Sequence, residues 1–357
     1  VVGAFGGGLG AQIGAPLSAA PDLRASKVLC VAPHWVGDSL FFLPAVDALR
    51  RRFPEASFGL LAKAGIAGLL KGSGRFQQVH VLPTGAGRWE RFLAHWRLRD
   101  EGYELAVVFP DSFSSAFAAF LSGAGLRVGR SGEGRSLLLS PGFRLPRRTR
   151  RTHVVDEYLA LVEACGASAF STERIPTLSP AAEGIEEQQR LFRERGLGKG
   201  LLIALCPTSA YGPAKRWPGE HWSALALELK RRRFNVVFLC APSEWEGVEE
   251  LARASGSPVL APSLAGLAAC LQACEAVVAN DSGPLHLAAA VGARCLGLYG
   301  PVDPQWSGPR TSRGEALYLG LACSPCYARV CPLGHHDCLR TLSVERVLGE
   351  LTQVLKR

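Results

Sequence analysis

The sequence predicts an α/β protein built from two Rossmann-like, doubly wound parallel sheets, and three observations carry that prediction. Short β-branched or apolar runs alternate with amphipathic segments from Lys27 to Leu121. The alternation lapses across residues 166–198, where Ser171, Thr172, Pro176 and Pro180 precede a charged stretch, and it restarts at Leu201. In the second half, the apolar run Val277–Ala279 enters a polar turn that opens an apolar helix, the kind of strand-to-helix junction at which such folds bind ligands.

In chain order, the first half reads as strand Lys27–Ala32, helix Leu40–Arg52, strands Ser57–Ala62, Val79–Leu82 and Leu105–Phe109, and helix Ser112–Leu121. Helix His153–Cys165 closes it, and the linker carries a charged helix near Glu186–Arg195. The second half reads as strand Leu201–Leu205, helix Glu220–Arg233, strand Asn235–Leu239, and helices Val248–Ala254 and Leu264–Ala273. Strand Ala276–Ala279, helix Leu285–Val291 and strand Cys295–Leu298 follow, then a loop-rich stretch and a terminal helix Val344–Lys356. The domain division expected from this pattern is a flexible extension over 1–26, an N-terminal domain over 27–180 and a C-terminal domain over 181–357. The last of these includes a Cys-rich loop at 323–338.

The chain has 357 residues, 48% of them hydrophobic, enough for two separate cores. No apolar run approaches the roughly 20 residues that cross a bilayer. The Gly- and Ala-rich beginning has no basic residue before Arg24, so it reads as a floppy extension rather than a secretory leader. Net charge is +9, and residues 27–180 hold 20 Lys/Arg against 13 Asp/Glu, whereas 181–357 hold 19 against 17. An anionic partner is therefore expected at the first half, with plain surface solubility as the alternative. Seven cysteines, Cys30, Cys165, Cys206, Cys240, Cys270, Cys274 and Cys295, sit in apolar contexts that suit a reducing compartment.

The turn Asn280-Asp281-Ser282-Gly283-Pro284-Leu285-His286 is the strongest site signal. Asp281 is expected to cap the helix, Gly283 to let backbone approach a ligand, and the unpaired N–H groups of the first turn to favour a phosphate or diphosphate near His286. The same residues also suit an ordinary capped helix. Earlier, Pro33-His34-Trp35-Val36-Gly37-Asp38 lacks the Gly-x-Gly-x-x-Gly spacing of a dinucleotide fingerprint, yet places the carboxylate of Asp38 at a helix start, as a cap or as a functional group. The loop from Cys206 to Pro218 offers Thr208, Ser209, Lys215 and Arg216, a hydroxyl and cation set suited to a diphosphate or, for the two cations, to open surface. Glu244 follows a strand where an acidic side chain commonly holds ribose hydroxyls.

Five segments taken together resemble the ADP-heptose:lipopolysaccharide heptosyltransferases of glycosyltransferase family 9, most closely their heptosyltransferase II branch. They are Trp35–Asp38, Pro110–Ala116, Tyr211–Pro218, Asn280–His286 and Leu298–Pro301. The resemblance runs over about residues 27–355 and implies a GT-B architecture, with an N-terminal domain for the acceptor and a C-terminal domain for ADP-heptose. It implies a cytoplasmic enzyme, peripheral at the inner face of the inner membrane of a Gram-negative bacterium. Such an enzyme adds heptose to an anionic heptosyl-Kdo-lipid A acceptor. By position it makes Asp38 the general base, Lys215 a diphosphate contact, and Asp281, Ser282, Gly283 and His286 the nucleotide-sugar turn. Thr208, Ser209, Arg216 and Glu244 are further donor contacts. Asp111 to Ser115 and the run Arg127, Arg130, Arg135 lie where the acceptor is expected to approach. An inverting transfer needs one base and a stabilised diphosphate leaving group, so a second catalytic carboxylate is not required.

The implied reaction requires no cofactor and leaves room for Mg²⁺. Cys323, Cys326, Cys331 and Cys338, with His335 and His336 among them, form a soft-ligand cluster that zinc could occupy, although unmetallated structural thiols are the expected reading. The alternative functions are heptosyltransferase I or another nucleotide-sugar transferase of the same fold. A non-enzymatic binder of nucleic acid or anionic lipid, suggested only by a pI near 9.1, is the third. No helix carries the basic, base-reading pattern of a nucleic-acid binder, so no nucleic-acid partner is expected.

Overall fold

The computed structural model describes residues 23–357 except 84, 86, 133, 170, 171 and 199. Residues 1–22 of the expected extension, and Ser171 of the expected linker, lie outside the described residues.

Two six-stranded sheets organise the described chain. In the first, β1 (Lys27–Val31), β2 (Ser57–Lys63), β3 (Gln78–Leu82), β4 (Leu105–Val108), β5 (Leu126–Arg130) and β6 (Arg144–Leu145) pair in the order β3-β2-β1-β4-β5-β6. In the second, β7 (Leu202–Cys206), β8 (Asn235–Leu239), β9 (Val259–Leu260), β10 (Ala276–Asn280), β11 (Cys295–Tyr299) and β12 (Gly314–Tyr318) pair in the order β12-β11-β10-β7-β8-β9. Every pairing is parallel, with Val28 beside Phe58 and Leu105 in one sheet, and Val277 beside Ala204 and Cys295 in the other. Both orders reverse direction between the first and fourth strand, at β1/β4 and at β7/β10. A crevice opens at the carboxyl ends of the strands at such a reversal.

The helices of the first half are α1 (Val36–Phe41), α2 (Leu43–Arg52), α3 (Ala64–Lys71), α4 (Arg88–Trp96), α5 (Phe113–Leu121) and α6 (Val154–Glu163). Those of the second are α7 (Ala182–Glu194), α8 (Gly219–Arg231), α9 (Trp245–Arg253), α10 (Leu264–Gln272), α11 (Gly283–Ala290), α12 (Pro304–Ser307), α13 (Asp337–Arg340) and α14 (Val344–Leu355). The chain changes sheets between α6, which packs on α2, and α7, which packs on α10. One apolar core runs through the junction, joining Phe41, Leu159 and Cys165 to Leu267, Leu285 and Leu287. The two sheets meet through α1 and α11, the helices leaving the two reversal points, and this is the GT-B arrangement.

Several elements depart from the sequence-based expectation. The helix expected over Leu40–Arg52 starts at Val36 and breaks at Phe42, because Pro44 enters the first turn of α2 without an N–H to donate. Helices α3 and α4 and strands β5, β6, β9 and β12 were not anticipated. Strand β5 carries Arg127 and Arg130, and β12 opens with Gly314-Glu315, so neither reads as an apolar run although the ladder accommodates both. The seven scattered cysteines are all buried free thiols, as their contexts implied.

Candidate active site

At the first reversal point, β1 passes through Ala32–Trp35 into α1. Trp35 occupies the N-cap position and supplies no side-chain cap, so Asp38, third in the helix, is not a capping residue. Burial pushes the Asp38 carboxyl above its ordinary range, while Arg148, His286 and Lys215 pull it back down. Two of those three residues, His286 and Lys215, belong to the second half of the chain, so the Asp38 carboxyl faces the seam between the sheets. Arg148 ion-pairs with Asp111 at 3.0 Å, donates to the Phe109 carbonyl at 3.1 Å and lies 4.4 Å from the Tyr158 ring centre. These contacts fix the guanidinium between the end of β4 and Asp38.

At the second reversal point, Ser282 is the N-cap residue of α11 and makes no side-chain cap, and Asp281 does not cap it either. Asp281 turns instead toward Lys215 Nζ at 2.5 Å and the His286 ring, with Nε2 at 3.6 Å. Burial drives its carboxyl upward, but the His286 hydrogen bond and the Lys215 charge outweigh that and hold it below its ordinary value. Lys215 is only 12% exposed and sits over the Tyr211 ring at 4.6 Å, so it is no free surface charge.

The two glycines of the seam have a steric reason unrelated to a ligand. A Cβ at Gly37 would lie 2.7 Å from the His286 ring, and one at Gly283 would lie 2.9 Å from Val36 Cβ. Gly283 therefore also lets α1 approach α11. The Phe41 ring completes the contact, 4.6 Å from His286 and 5.2 Å from His153. His153 accepts from Val155 N through Nδ1 at 3.1 Å and so presents Nε2–H to the Gly308 carbonyl in the second half, at 2.9 Å. Burial pushes that imidazole down to about 4, so it stays neutral.

The remaining expected donor residues lie on the same sheet edge. Thr208 is half-buried and Ser209 buried at the end of β7, and the Ser209 carbonyl accepts from Arg216 Nη2 at 3.2 Å. Arg216 is thus folded back on its own loop. Glu244 follows β8, next to β7, and its Oε2 accepts from Ala241 N at 3.2 Å. On the acceptor side, Ser112 caps α5 by accepting from Ser115 N at 3.3 Å. Arg130 and Arg135 are not available to a ligand. Arg130 is buried against Glu157 at 2.7 Å, and Arg135 donates to the Pro110 carbonyl at 2.5 Å from a fully buried position. The Arg127 guanidinium also serves carbonyls of its own neighbourhood, Leu138 at 2.7 Å and Ala124 at 2.5 Å.

Two residues escaped the sequence reading. Arg148 stands in the run Arg147–Arg151, where nothing local distinguishes it from its neighbours. Asn280 opens the recognised turn but was given no role of its own there; its amide joins that turn to the Cys206–Pro218 loop by accepting from Trp217 N at 3.1 Å and donating to the Pro207 carbonyl at 2.6 Å. Asn280→Ala should therefore cost about 1–3 kcal/mol, because both partners are buried. A lower Tm together with weaker ADP binding would check this, and an unchanged Tm would contradict it.

The Cys-rich loop braces this donor face. Tyr211 Oη donates to the Tyr327 carbonyl at 2.6 Å, Ala214 N donates to the Arg329 carbonyl at 3.0 Å, and His336 Nε2 donates to the Ala214 carbonyl at 2.8 Å. Cys323, Cys326, Cys331 and Cys338 line a narrow cavity beside Ala214 and Pro301. Among the described residues, no group of three or more His, Cys, Asp or Glu side chains is arranged to hold a metal ion.

Comparison with known proteins places this geometry in a family. The model for "Glycosyltransferase family 9 (heptosyltransferase)" matches residues 92–336. Lipopolysaccharide heptosyltransferase 2 of Escherichia coli K12 is 30% identical, over 92% of this chain and 98% of its own length. Lipooligosaccharide heptosyltransferase 2 of Haemophilus ducreyi is 29% identical, over 92% of this chain and 99% of its own. The solved structure of E. coli ADP-heptose lps heptosyltransferase II aligns at a TM-score of 0.77 and 27% identity, over 92% of this chain and 98% of that one. A motif set spread over both reversal points, a GT-B pair of sheets and this match together lead to one conclusion: the chain belongs to glycosyltransferase family 9, the heptosyltransferase family.

Proposed function

We propose that the chain is an inverting transferase that moves L-glycero-D-manno-heptose from ADP-heptose to the heptosyl-Kdo-lipid A inner core of lipopolysaccharide. One observation carries this reading: a desolvated carboxylate, Asp38, on one sheet faces the cation-bearing turn Lys215–Asp281–His286 on the other. The similarity to heptosyltransferase 2 proteins along nearly the whole chain supports the donor and the acceptor stage.

In this scheme Asp38 takes the proton of an acceptor hydroxyl while its oxygen bonds the anomeric carbon from the face opposite ADP. The anomeric carbon–oxygen bond breaks, and its electron pair leaves with the diphosphate. Lys215 and the first-turn amides of α11 face the developing charge. Asp281 fixes Lys215 and His286 in place, Ser282 and Gly283 present the turn backbone, and Thr208, Ser209 and Arg216 extend the donor side. Glu244 is assigned to the ribose. Arg148 tempers the rise in the Asp38 pKa, keeping the base ionisable.

The protein is proposed to work in the cytoplasm, peripherally at the inner membrane. Among the described residues no helix is long and apolar enough to cross a membrane.

The test is mass spectrometry of product after incubation with ADP-heptose and Kdo-lipid A acceptors that carry or lack the first heptose. Transfer only to the heptosylated acceptor is expected. Transfer only to the bare acceptor would assign heptosyltransferase I specificity instead, a reading that similarity to a 26% identical heptosyltransferase 1 of Pseudomonas aeruginosa supports. Because Lys215 and the turn amides already supply positive charge, transfer should survive EDTA. Loss that Mg²⁺ restores would show a metal dependence.

A further inference from the structure

Helix α4 carries Trp89, Phe92, Leu93 and Trp96 at the i, i+3, i+4, i+7 spacing of a core-facing helix, yet none of its nine residues is buried. Its apolar stripe is left largely open by the described chain, with Trp89, Leu93 and Trp96 exposed and Phe92 half-buried. The Trp89 and Phe92 rings stack at 5.3 Å, and Phe92 and Trp96 at 5.7 Å, so the stripe is a continuous aromatic surface, with Trp89 70% exposed. Helix α5 packs beside it and adds Phe113, Phe117 and Phe120, all exposed along one face while Ala116 and Ala119 point inward.

Cations rim this surface. Arg99 lies 3.8 Å from the Trp96 ring centre, and Arg127 lies 5.5 Å from that of Phe120. Residues 88–151 as a whole hold 12 Arg against 6 Asp and Glu. A second copy of the chain is a poor occupant, because a two-fold contact through this face would bring two arginine-rich surfaces of the same sign together. An anionic bilayer suits both features, since aromatic rings settle at the headgroup level while guanidinium groups meet lipid phosphates.

We propose that the α4–α5 face docks the protein on an anionic lipid bilayer. Helix α5 begins beside Asp111 and Ser112, at the end of β4 where Arg148 pairs with Asp111, so docking through this face brings that side of the seam to the lipid surface. This rests on the reading that the acceptor is lipid-linked, but vesicle binding is measured without donor or acceptor, so the two ideas fail separately.

The experiment is co-sedimentation of the full chain with phosphatidylcholine vesicles, with and without about one-third phosphatidylglycerol, a charge density sufficient to attract polybasic surfaces. The intact protein should partition to the anionic vesicles and release with salt. The Trp89→Glu/Phe117→Glu variant, altered only at exposed positions, should bind about tenfold more weakly or worse. It should keep its Tm and its transfer to a deacylated, water-soluble acceptor. Equal binding by the variant, or no binding by the intact protein, would overturn the proposal. So would a concentration-dependent dimer in light scattering that the variant abolishes, since the face would then belong to a second copy.

Discussion

Asp38→Asn is expected to lower turnover by about 1,000-fold, within the range a positioned general base contributes, while ADP affinity stays within about twofold. The amide keeps the shape of the carboxyl but cannot accept the acceptor proton. Because burial raises the Asp38 pKa, the acidic limb of the intact enzyme's rate should lie above the ordinary carboxylate range, and the residual rate of the variant should lack it. The sign for stability is opposite to that for catalysis. A carboxyl whose folded pKa is raised favours the folded state when protonated, and that contribution is lost as pH rises through the folded value. Asp38→Asn should therefore be at least as stable as the intact protein near neutrality. Steady-state kinetics across pH, ADP titration and thermal melting check all three. Turnover retained at neutral pH would remove Asp38 as the base.

Lys215→Ala should produce the second large effect, a loss of about 100–1,000-fold in turnover with weakened donor binding, the scale of removing one preorganised charge from a leaving group. The substitution also strands Asp281, which is 3% exposed and would lose its lysine partner. Breaking a buried pair in this way costs about 3–5 kcal/mol. Lys215→Ala/Asp281→Asn separates the two effects: stability should return, turnover should not. The acid sensitivity follows from the depressed Asp281 pKa. A carboxyl whose folded pKa lies below its unfolded one contributes stability above the unfolded value, about 3.9, and loses it as pH falls through the folded value. Lys215→Ala should shrink that acid-dependent loss, seen as a smaller drop in Tm on acidification. Recovery of turnover in the double variant would mean that Lys215 acts only by holding the fold.

Strands buried on both faces, such as Val277–Ala279 and Leu105–Val108, are legible because they must be apolar throughout. The outer strands β5 and β12 are not, since their polar residues are paired by a neighbouring strand that local pattern does not reveal. Helix α4 was missed for a different reason. Its aromatic and arginine content resembles a surface segment, and none of its residues is buried to mark it as a core-facing element. The site shows the same division. The residue types at Asp38, Lys215 and Asp281–His286 announce anion and proton chemistry from their place at strand ends. The role of Asp281 as a charge partner rather than a cap depends on Lys215, 66 residues earlier, swinging to within 2.5 Å of it. Arg130 and Arg135 went the other way, offered by sequence as ligand contacts and consumed by the interior.

By itself the sequence determined the two-sheet α/β plan and the family, and it singled out the turns proposed to carry chemistry, because strand burial, helix starts and motif spacing are local properties written along the chain. Only the tertiary structure decided that Gly37 and Gly283 let α1 and α11 meet, that Arg148 offsets part of what burial does to Asp38, and that Asn280 ties its turn to the Cys206–Pro218 loop. Those facts depend on distances between residues far apart in the chain, and electrostatic and steric energies follow separation in space, which no local pattern encodes.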